Sequence, residues 1–204
     1  MPFWTDAKVE PKRSYRFAMT FGGAELQQIE FAVMKVNKPE ITIEPKTHNY
    51  LNHEFHYPGR PKWNAVAATL VDPVDPDVSY KFSKVLEQAG YIVPNNTGEV
   101  TTISKAAAAT TLGNVVITQY GPSRTQAPNS TVPPLVDTGL YDSNGKDHII
   151  EQWTLHNPFI TKVNFGELDY ANEDLVQIQV EFRYDWATIQ GNDVGTKVWP
   201  LGNS

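Results

Sequence analysis

The sequence contains no cysteine, which limits both its covalent and its metal chemistry. None of its 204 residues supplies a thiol, so neither a disulfide framework nor a thiolate metal site can form. No segment approaches the roughly 18 consecutive apolar residues that a membrane-spanning helix needs. The N-terminus also lacks the apolar core of a signal peptide. We therefore expect a protein that has no membrane segment and is soluble and intracellular when made.

A concentrated basic segment is lacking as well. The chain has 17 Lys and Arg residues against 23 Asp and Glu residues, for a formal net charge of −6. Proteins that bind nucleic acids by neutralising phosphates normally present a basic face, and no part of this sequence concentrates Lys or Arg. The composition therefore argues against a nucleic-acid-binding protein of that kind. Ordinary solubility is one sufficient reason for a charge of this size.

The clearest pattern in the sequence lies between Leu175 and Trp186, where apolar and polar residues alternate. The apolar face comprises Val176, Ile178, Val180, Phe182, Tyr184 and Trp186, and the polar face comprises Gln177, Gln179, Glu181, Arg183 and Asp185. A period of two in β-branched and aromatic residues is typical of a strand with one buried face. Just upstream, a segment containing Trp153 predicts another strand, and Asn157-Pro158-Phe159 predicts a corner.

Turn and helix signals divide the rest of the chain into short elements. The predicted strands are Tyr15–Phe21, Ile29–Val36, Ile41–Glu44, Trp63–Val71 and Val115–Tyr120. The first two are predicted to form a hairpin, and a turn is predicted at Tyr57–Pro61. Apolar residues at helical spacing behind Asp75 and Asp77 predict a helix over about residues 75–89, ended by Gly90. An alanine run predicts a second helix over Ser104–Leu112. The chain is therefore predicted to be mainly β.

The segment Gly121–Lys146 is rich in Pro, Ser, Thr, Asn and Gly and shows little periodicity. It predicts a long, loop-rich insertion, with paired strands beginning at Tyr120 and Ile149 on either side of it. A hydrophobic content of 40% in 204 residues is enough for one sizeable core. We therefore expect one domain over residues 1–204, with the insertion lying outside its core.

Four blocks of this sequence, in order, resemble the tail tube proteins of contractile-tailed bacteriophages. The blocks are Met1–Trp4 with the strand after it, Tyr50–Arg60 with Trp63, Val71–Pro73 with the helix that follows, and Trp153–Trp186. The segment Gly121–Lys146 is longer than the short turn expected in relatives. The resemblance implies two antiparallel sheets packed as a sandwich-like barrel, with one flanking α-helix.

The resemblance also implies a function without chemistry. Copies would form rings, six to a ring, and the rings would stack into a tube through which DNA passes without specific binding. Partners implied by the resemblance are the tail sheath protein, the tape-measure protein and the baseplate, with assembly in the host cytoplasm and a final location in the virion tail. No cofactor is expected. Within the same class, a tube initiator of the baseplate or the tube protein of an injection system is an alternative.

A tube that passes DNA needs a lining that does not bind phosphates, so we expect polar or acidic side chains there. The candidate lumen residues are Gln177, Gln179 and Glu181 of the last predicted strand, together with Gln152 and Thr154 of the strand before it. Arg183 belongs to the same polar face. We expect Asp185 or a neighbouring acid to offset its charge.

An alternative from another class is a metal-dependent all-β enzyme that uses His48, His53 and His56. On a helix, His53 and His56 would converge on a metal ion, but the surrounding residues have no helical pattern, and residues three apart on a strand face opposite sides. Polar contacts in a loop or interface are therefore favoured. The acid pairs Glu167 with Asp169 and Glu173 with Asp174 flank predicted turns, where exposed carboxylates are common. Core packing is favoured over a sugar-binding platform for three tryptophans: Trp63, Trp153 and Trp186.

Overall fold

The computed structural model describes residues 12–93, 102–120, 149–171, 173–191 and 198–199. These residues form eleven strands and two α-helices, which confirms the prediction of a mainly β chain. The elements are β1 (Phe17–Phe21), β2 (Val33–Val36), β3 (Ile41–Tyr50), β4 (His53–Trp63), β5 (Val66–Val71), α1 (Val78–Gln88), α2 (Lys105–Leu112), β6 (Val115–Tyr120), β7 (Ile149–His156), β8 (Phe159–Asn164), β9 (Gln177–Arg183), β10 (Trp186–Gly191) and β11 (Val198–Trp199).

Two antiparallel sheets pack against each other, as the resemblance implies. One has the strand order β1-β6-β7-β10-β11 and the other the order β2-β5-β9-β8. Their facing sides supply one apolar core, whose fully buried members include Met19, Leu155, Val66, Leu70, Ile178 and Phe182. The apolar residues of β9 at positions 178, 180 and 182 all face this core, so the predicted buried face of that strand is confirmed.

Both predicted helices are confirmed and cover one flank of the core. Helix α1 begins after Asp77, whose carboxylate accepts a hydrogen bond from the Tyr80 amide at 2.7 Å. Asp72 accepts from two further free amides, those of Val78 and Ser79, so the first turn is satisfied by two carboxylates. Helix α2 begins after Ser104, whose hydroxyl accepts from the Ala107 amide at 3.1 Å. No helix in the part of the chain that the structure describes has the length and apolar character needed to span a bilayer.

The predicted hairpin of Tyr15–Phe21 with Ile29–Val36 is wrong. Strand β1 pairs with β6 in one sheet, and β2 pairs with β5 in the other. Two short 3₁₀ turns lie between them and bury Leu26 and Ile29 completely. The chain therefore crosses the core from one sheet to the other, and burial of these two apolar side chains stabilises the crossing.

The predicted turn at Tyr57–Pro61 is also wrong, whereas the short strand predicted at Ile41–Glu44 is confirmed and extends to Tyr50. Strands β3 and β4 pair from Ile41↔Trp63 to Tyr50↔His53, with a register irregularity near Pro45 and Pro58. A two-stranded ribbon has free outer edges, so proline's missing N–H is tolerated there. Gly59 is needed at the irregularity because a Cβ at this position would lie 2.2 Å from the Glu44 carbonyl oxygen.

The predicted single strand Leu175–Trp186 ends at Arg183, and the prediction is wrong beyond that residue. The chain turns at Asp185, whose amide donates to the His156 carbonyl at 3.1 Å and whose carboxylate is held by Lys105 at 2.7 Å. Strand β10 then joins the other sheet beside β7. Trp186 is consequently 42% exposed and its ring stacks on His156, so its predicted place in the core is wrong. Trp63 and Trp153 do pack against the core.

The predicted insertion Gly121–Lys146 lies outside the described residues. The prediction about its flanks is confirmed, because β6 and β7 pair antiparallel and Tyr120 lies opposite Ile149.

Replacing residues 121–148 with an Asn-Gly turn is expected to preserve the fold. Tyr120 and Ile149 are already paired, and Asn-Gly closes a two-residue hairpin between paired strands. Circular dichroism and a cooperative denaturant transition would check this result. Loss of the transition would mean that the insertion forms part of the core.

Candidate assembly surfaces

The β3–β4 ribbon, residues 41–63, is almost entirely exposed, and we call it the arm. Every residue of β3 is exposed, and in β4 only Gly59 and Trp63 are partly covered. Both faces of the arm are therefore open to solvent. An isolated two-stranded ribbon is only marginally stable in water, so a ribbon of this length indicates a surface that is covered by something else.

The two faces of the outer half of the arm differ in chemistry. Register places Lys46, His48 and Tyr50 on the same face as their partners Tyr57, Phe55 and His53. On that face Tyr50, Phe55 and Tyr57 are 63%, 43% and 56% exposed, and the His53 ring packs edge-on against Phe55 at 4.7 Å between ring centroids. The opposite face carries the polar side chains Thr47, Asn49, Glu54 and His56. The first face is the aromatic face of the arm, and apolar exposure of this kind is typical of contact surfaces.

The base of the arm is held firmly on the sandwich. The Asn64 amide donates to the Glu40 carbonyl at 2.9 Å, and the Asn64 side chain donates to the Thr42 hydroxyl at 2.8 Å. Trp63 packs against Tyr184 with ring centroids 6.0 Å apart, and its carbonyl accepts from Arg183 at 2.9 Å. These contacts define the direction in which the arm leaves the body.

A buried carboxylate, Glu151 of β7, forms ion pairs that hold the segment preceding the arm on the sandwich. Its side chain is 7% exposed and forms ion pairs with Lys12 and with Lys38, the latter at 2.8 Å. Trp153 donates to the same carboxylate, and Lys38 also donates to Gln119 at 2.7 Å. Burial opposes ionisation, but the hydrogen bonds from the two lysines and Trp153 outweigh it and lower the pKa of Glu151 to about 2. Glu151 therefore connects β7, through Lys38, to the segment between β2 and the arm.

The sheet edges form a second class of contact surface. In the four-stranded sheet, β2 and β8 are the outer strands, and in the five-stranded sheet the outer strands are β1 and β11. An edge strand presents backbone N–H and C=O groups that can pair with another chain. Strand β8, whose sequence is FITKVN, contains no proline, but it carries one lysine, Lys162, and a register irregularity between Ile160 and Lys162.

The five candidate lumen residues lie on two different sheets. Gln177, Gln179 and Glu181 belong to β9 and point away from the core on the outer face of the four-stranded sheet, next to Thr69, Lys162 and Asn164. Gln152 and Thr154 belong to β7 in the five-stranded sheet, because β7 pairs with β6 and β10. These two groups point in opposite directions. Asp185 does not offset Arg183, because it binds Lys105, and this pair lowers the pKa of Asp185. The alternative, that a neighbouring acid offsets Arg183, stays a prediction.

The three histidines do not come together as a metal site. His48 and His53 are on the aromatic face of the arm, and His56 is on the opposite face. Within the described ranges, no group of three or more His, Cys, Asp or Glu residues is placed to hold a metal ion. The acid pairs at 167 with 169 and at 173 with 174 are exposed on the β8–β9 loop, where the Asp169 carboxylate accepts from the Ala171 amide at 3.0 Å.

The arm is a feature that sequence reasoning missed. The signals within the arm were contradictory, because Pro58, Gly59 and Pro61 are turn residues in most contexts. The alternation of His53, Phe55 and Tyr57 on one side of β4 was the available evidence for a strand.

The same fold occurs in components of contractile injection systems. A chain of the six-fold symmetrised baseplate of the anti-feeding prophage superimposes with a TM-score of 0.58 at 14% identity, covering 91% of this chain and 99% of that one. For the cap that terminates the anti-feeding prophage tube, the TM-score is 0.56 at 15% identity, with 94% and 99% covered. For a chain of the PVC sheath–tube complex in the extended state, the values are 0.55 and 14%, with 90% and 94% covered.

At these identities the likeness shows the fold alone. No protein-family model matches the sequence, and no curated protein matches it. The resemblance to tail tube proteins of contractile systems is thus confirmed at the level of the fold.

Proposed function

We propose that this protein is a structural subunit of a contractile-type tail, and that its copies form rings that stack into a tube. The observation that carries the proposal is that the fold is similar to chains of a baseplate, a tube cap and a sheath–tube complex. The similarity extends over nearly the whole length of each of those chains. The exposed arm and the open sheet edges support it, because an assembly protein needs large surfaces that a monomer leaves uncovered.

Ring formation would use the sheet edges. A closed ring requires a heterologous contact, in which one surface of a copy meets a different surface of the next. Strands β2 and β8 lie at opposite edges of the same sheet, so β8 of one copy can pair with β2 of its neighbour and continue the sheet across the boundary. Six copies in a ring agree with the six-fold symmetry of the related baseplate.

The outer face of the four-stranded sheet is our proposed lumen surface. Edge pairing would make this sheet continuous around the ring, and its exposed face carries Gln177, Gln179 and Glu181. Amide and acidic groups do not collect phosphates. Of the cationic groups on this face, Lys162 lies opposite Glu181 and Arg183 donates to the Trp63 carbonyl, so DNA could pass without being held. The face that carries Gln152 and Thr154 would then point outward, where the sheath protein would bind. The tape-measure protein inside the tube and the baseplate at its end complete the proposed partners, with assembly in the host cytoplasm and a final place in the virion tail.

The experiment is to purify the full-length protein, concentrate it, and record its sedimentation and negative-stain images. We expect rings and hollow stacks of rings. Monomer alone at every concentration and salt condition would contradict the proposal. A baseplate initiator, which the baseplate likeness favours as the second candidate, would stop at one or two rings, whereas a tube protein would give long polymers.

A metal analysis of the same preparation distinguishes the proposed structural role from the alternative of a metal-dependent enzyme. A tube subunit should carry no metal ion in stoichiometric amount. One bound ion per chain that His48→Ala removes would support a metal site on the arm.

A further inference from the structure

We infer that the contact between neighbouring copies of a ring includes an ion pair, in which Lys35 of one copy enters a groove beside β8 of the next copy. The groove lies where β8 ends and the β8–β9 loop begins. The inference rests on the proposed function and adds to it the side chains that specify the contact between β8 and β2. We call the boundary between these two strands the seam.

The groove beside β8 has a volume of 510 Å³ and is lined by the end of that strand, the start of β9 and the loop between them. Its charged side chains are the carboxylates Glu167, Asp169 and Asp174, and its lining among the described residues contains no lysine or arginine. Leu168 also lines the groove and is 86% exposed. An open groove that combines carboxylates with apolar surface fits a cationic side chain with an aliphatic stem.

Register places Lys35 on the same face of the sheet as the groove, at the opposite end of one row of residues. Lys35 of β2 is paired with Thr69 of β5, Thr69 with Gln179 of β9, and Gln179 with Asn164 of β8. Side chains directly opposite each other on neighbouring strands lie on the same face of a sheet. Gln179 and Asn164 both line the groove. The row therefore runs from a lysine at one edge of the sheet to an acidic groove at the other edge.

Continuation of the sheet around a ring brings the two ends of this row together. Neighbouring strands are antiparallel throughout the sheet, so β2 and β8 run in opposite directions. Rotation about the ring axis keeps the direction of each strand, and β8 of one copy therefore meets β2 of the next as an antiparallel pair. The proposed contact is the one that continues the row across the seam, where Lys35 lies next to Asn164 of the neighbouring copy and beside the groove.

Both charges are available in the single chain. Lys35 is exposed and forms no ion pair with a described residue, and the same holds for Glu167. The apolar residues next to them are also open, Met34 being 51% and Phe165 44% exposed. Covering these side chains at the seam would exclude water, and an ion pair is stronger where water is excluded.

The contact also accounts for a cation on the proposed lumen surface. Lys35 lies on the same face as Gln179, because the register pairs both residues with Thr69. Binding in the acidic groove would neutralise this lysine at each seam. The ion pair thus agrees with a channel lining that does not hold phosphates.

The first test is a charge-reversal cycle, read by sedimentation velocity and negative-stain imaging. Lys35→Glu and Glu167→Lys should each raise the protein concentration needed for ring formation at least about tenfold, because like charges then meet at every seam. The variant with both changes restores opposite charges and should regain most of the ring formation. Glu173→Lys is the matched control, since it reverses an exposed carboxylate of the same loop that does not line the groove. It should form rings like the wild type.

The second test is a cross-link, and the absence of cysteine from the sequence makes it specific. The variant with Lys35→Cys and Glu167→Cys, treated with a short bis-maleimide after assembly, should give covalent oligomers up to the size of the ring. The variant with Lys35→Cys and Glu173→Cys is the control and should give clearly fewer of them.

The outcomes separate the two proposals. Ring formation by both single charge variants at the wild-type concentration would overturn the Lys35 contact and leave ring formation standing. The same conclusion would follow from a double variant that assembles no better than the single ones, or from cross-linking no stronger than in its control. A wild-type protein that forms no rings would overturn the proposed function and this contact together. Circular dichroism of each variant checks that the fold is intact, as expected for side chains that are exposed.

Discussion

Replacing Phe182 with alanine is expected to lower the free energy of unfolding by about 3–5 kcal/mol. The Phe182 side chain is completely buried, and its ring lies 5.9 Å from that of Phe21. Phe21 belongs to the other sheet, so the contact joins the two layers of the sandwich. Removing the ring loses its transfer free energy and leaves a cavity that β-strands held on both sides cannot fill. Denaturant unfolding of dilute, unassembled protein measures the change.

Gln179→Ala is the matched control for this prediction. Gln179 lies on the same strand with its side chain on the exposed face, and its removal should leave the free energy of unfolding nearly unchanged. A small effect of Phe182→Ala together with a large effect of Gln179→Ala would mean that the two faces of β9 are reversed.

Replacing Glu151 with glutamine is expected to cost about 2–3 kcal/mol near neutral pH, since a buried carboxylate loses hydrogen bonds from charged donors. Lys12 and Lys38 are about half exposed and can be hydrated in the variant, which keeps the loss below that of a fully buried pair. Denaturant unfolding of the two proteins measures it.

The effect of this variant should depend on pH in a defined direction. The pKa of Glu151 is lowered from 4.5 to about 2 in the folded protein, so its contribution is fully present above pH 4.5 and is lost as the pH falls toward 2. The difference between wild type and Glu151→Gln should therefore shrink over that window. Glu44→Gln removes an exposed carboxylate that also pairs with a lysine, and it should leave stability nearly unchanged at every pH. A constant difference between wild type and Glu151→Gln from pH 5 to 2 would contradict the ion-pair assignment.

Local patterns in the sequence were enough to predict those elements whose secondary structure is determined by the residues of one short segment. The 3.6-residue spacing behind Asp77 predicted α1, and the alternation at 178, 180 and 182 predicted the buried face of β9. The pairing of β6 with β7 was also predicted, because the sequence between them shows little periodicity and contains Asn144-Gly145, a hairpin-turn signal.

Prediction failed where the outcome depends on distant residues. Nothing near Tyr184 signals that the chain leaves one sheet for the other; the crossing depends on Lys105 and on the His156 carbonyl, which are distant in sequence. In the same way, Leu26 and Ile29 prevent a hairpin between β1 and β2 only because a core made by both sheets is available to bury them.

The candidate lumen residues, the histidines and the arm show the same division between what local patterns predict and what depends on distant residues. The sequence by itself determined that the polar residues 177, 179 and 181 share one face and that the histidines on β4 diverge, because both follow from the two-residue period of a strand. Only the tertiary structure decided that Gln152 and Thr154 lie on the other sheet, that residues 41–63 extend as an arm, and that the β8–β9 loop lies at the opposite end of the four-stranded sheet. Strand pairing is non-local, and the free energy that selects it comes from burial shared between segments far apart in the chain.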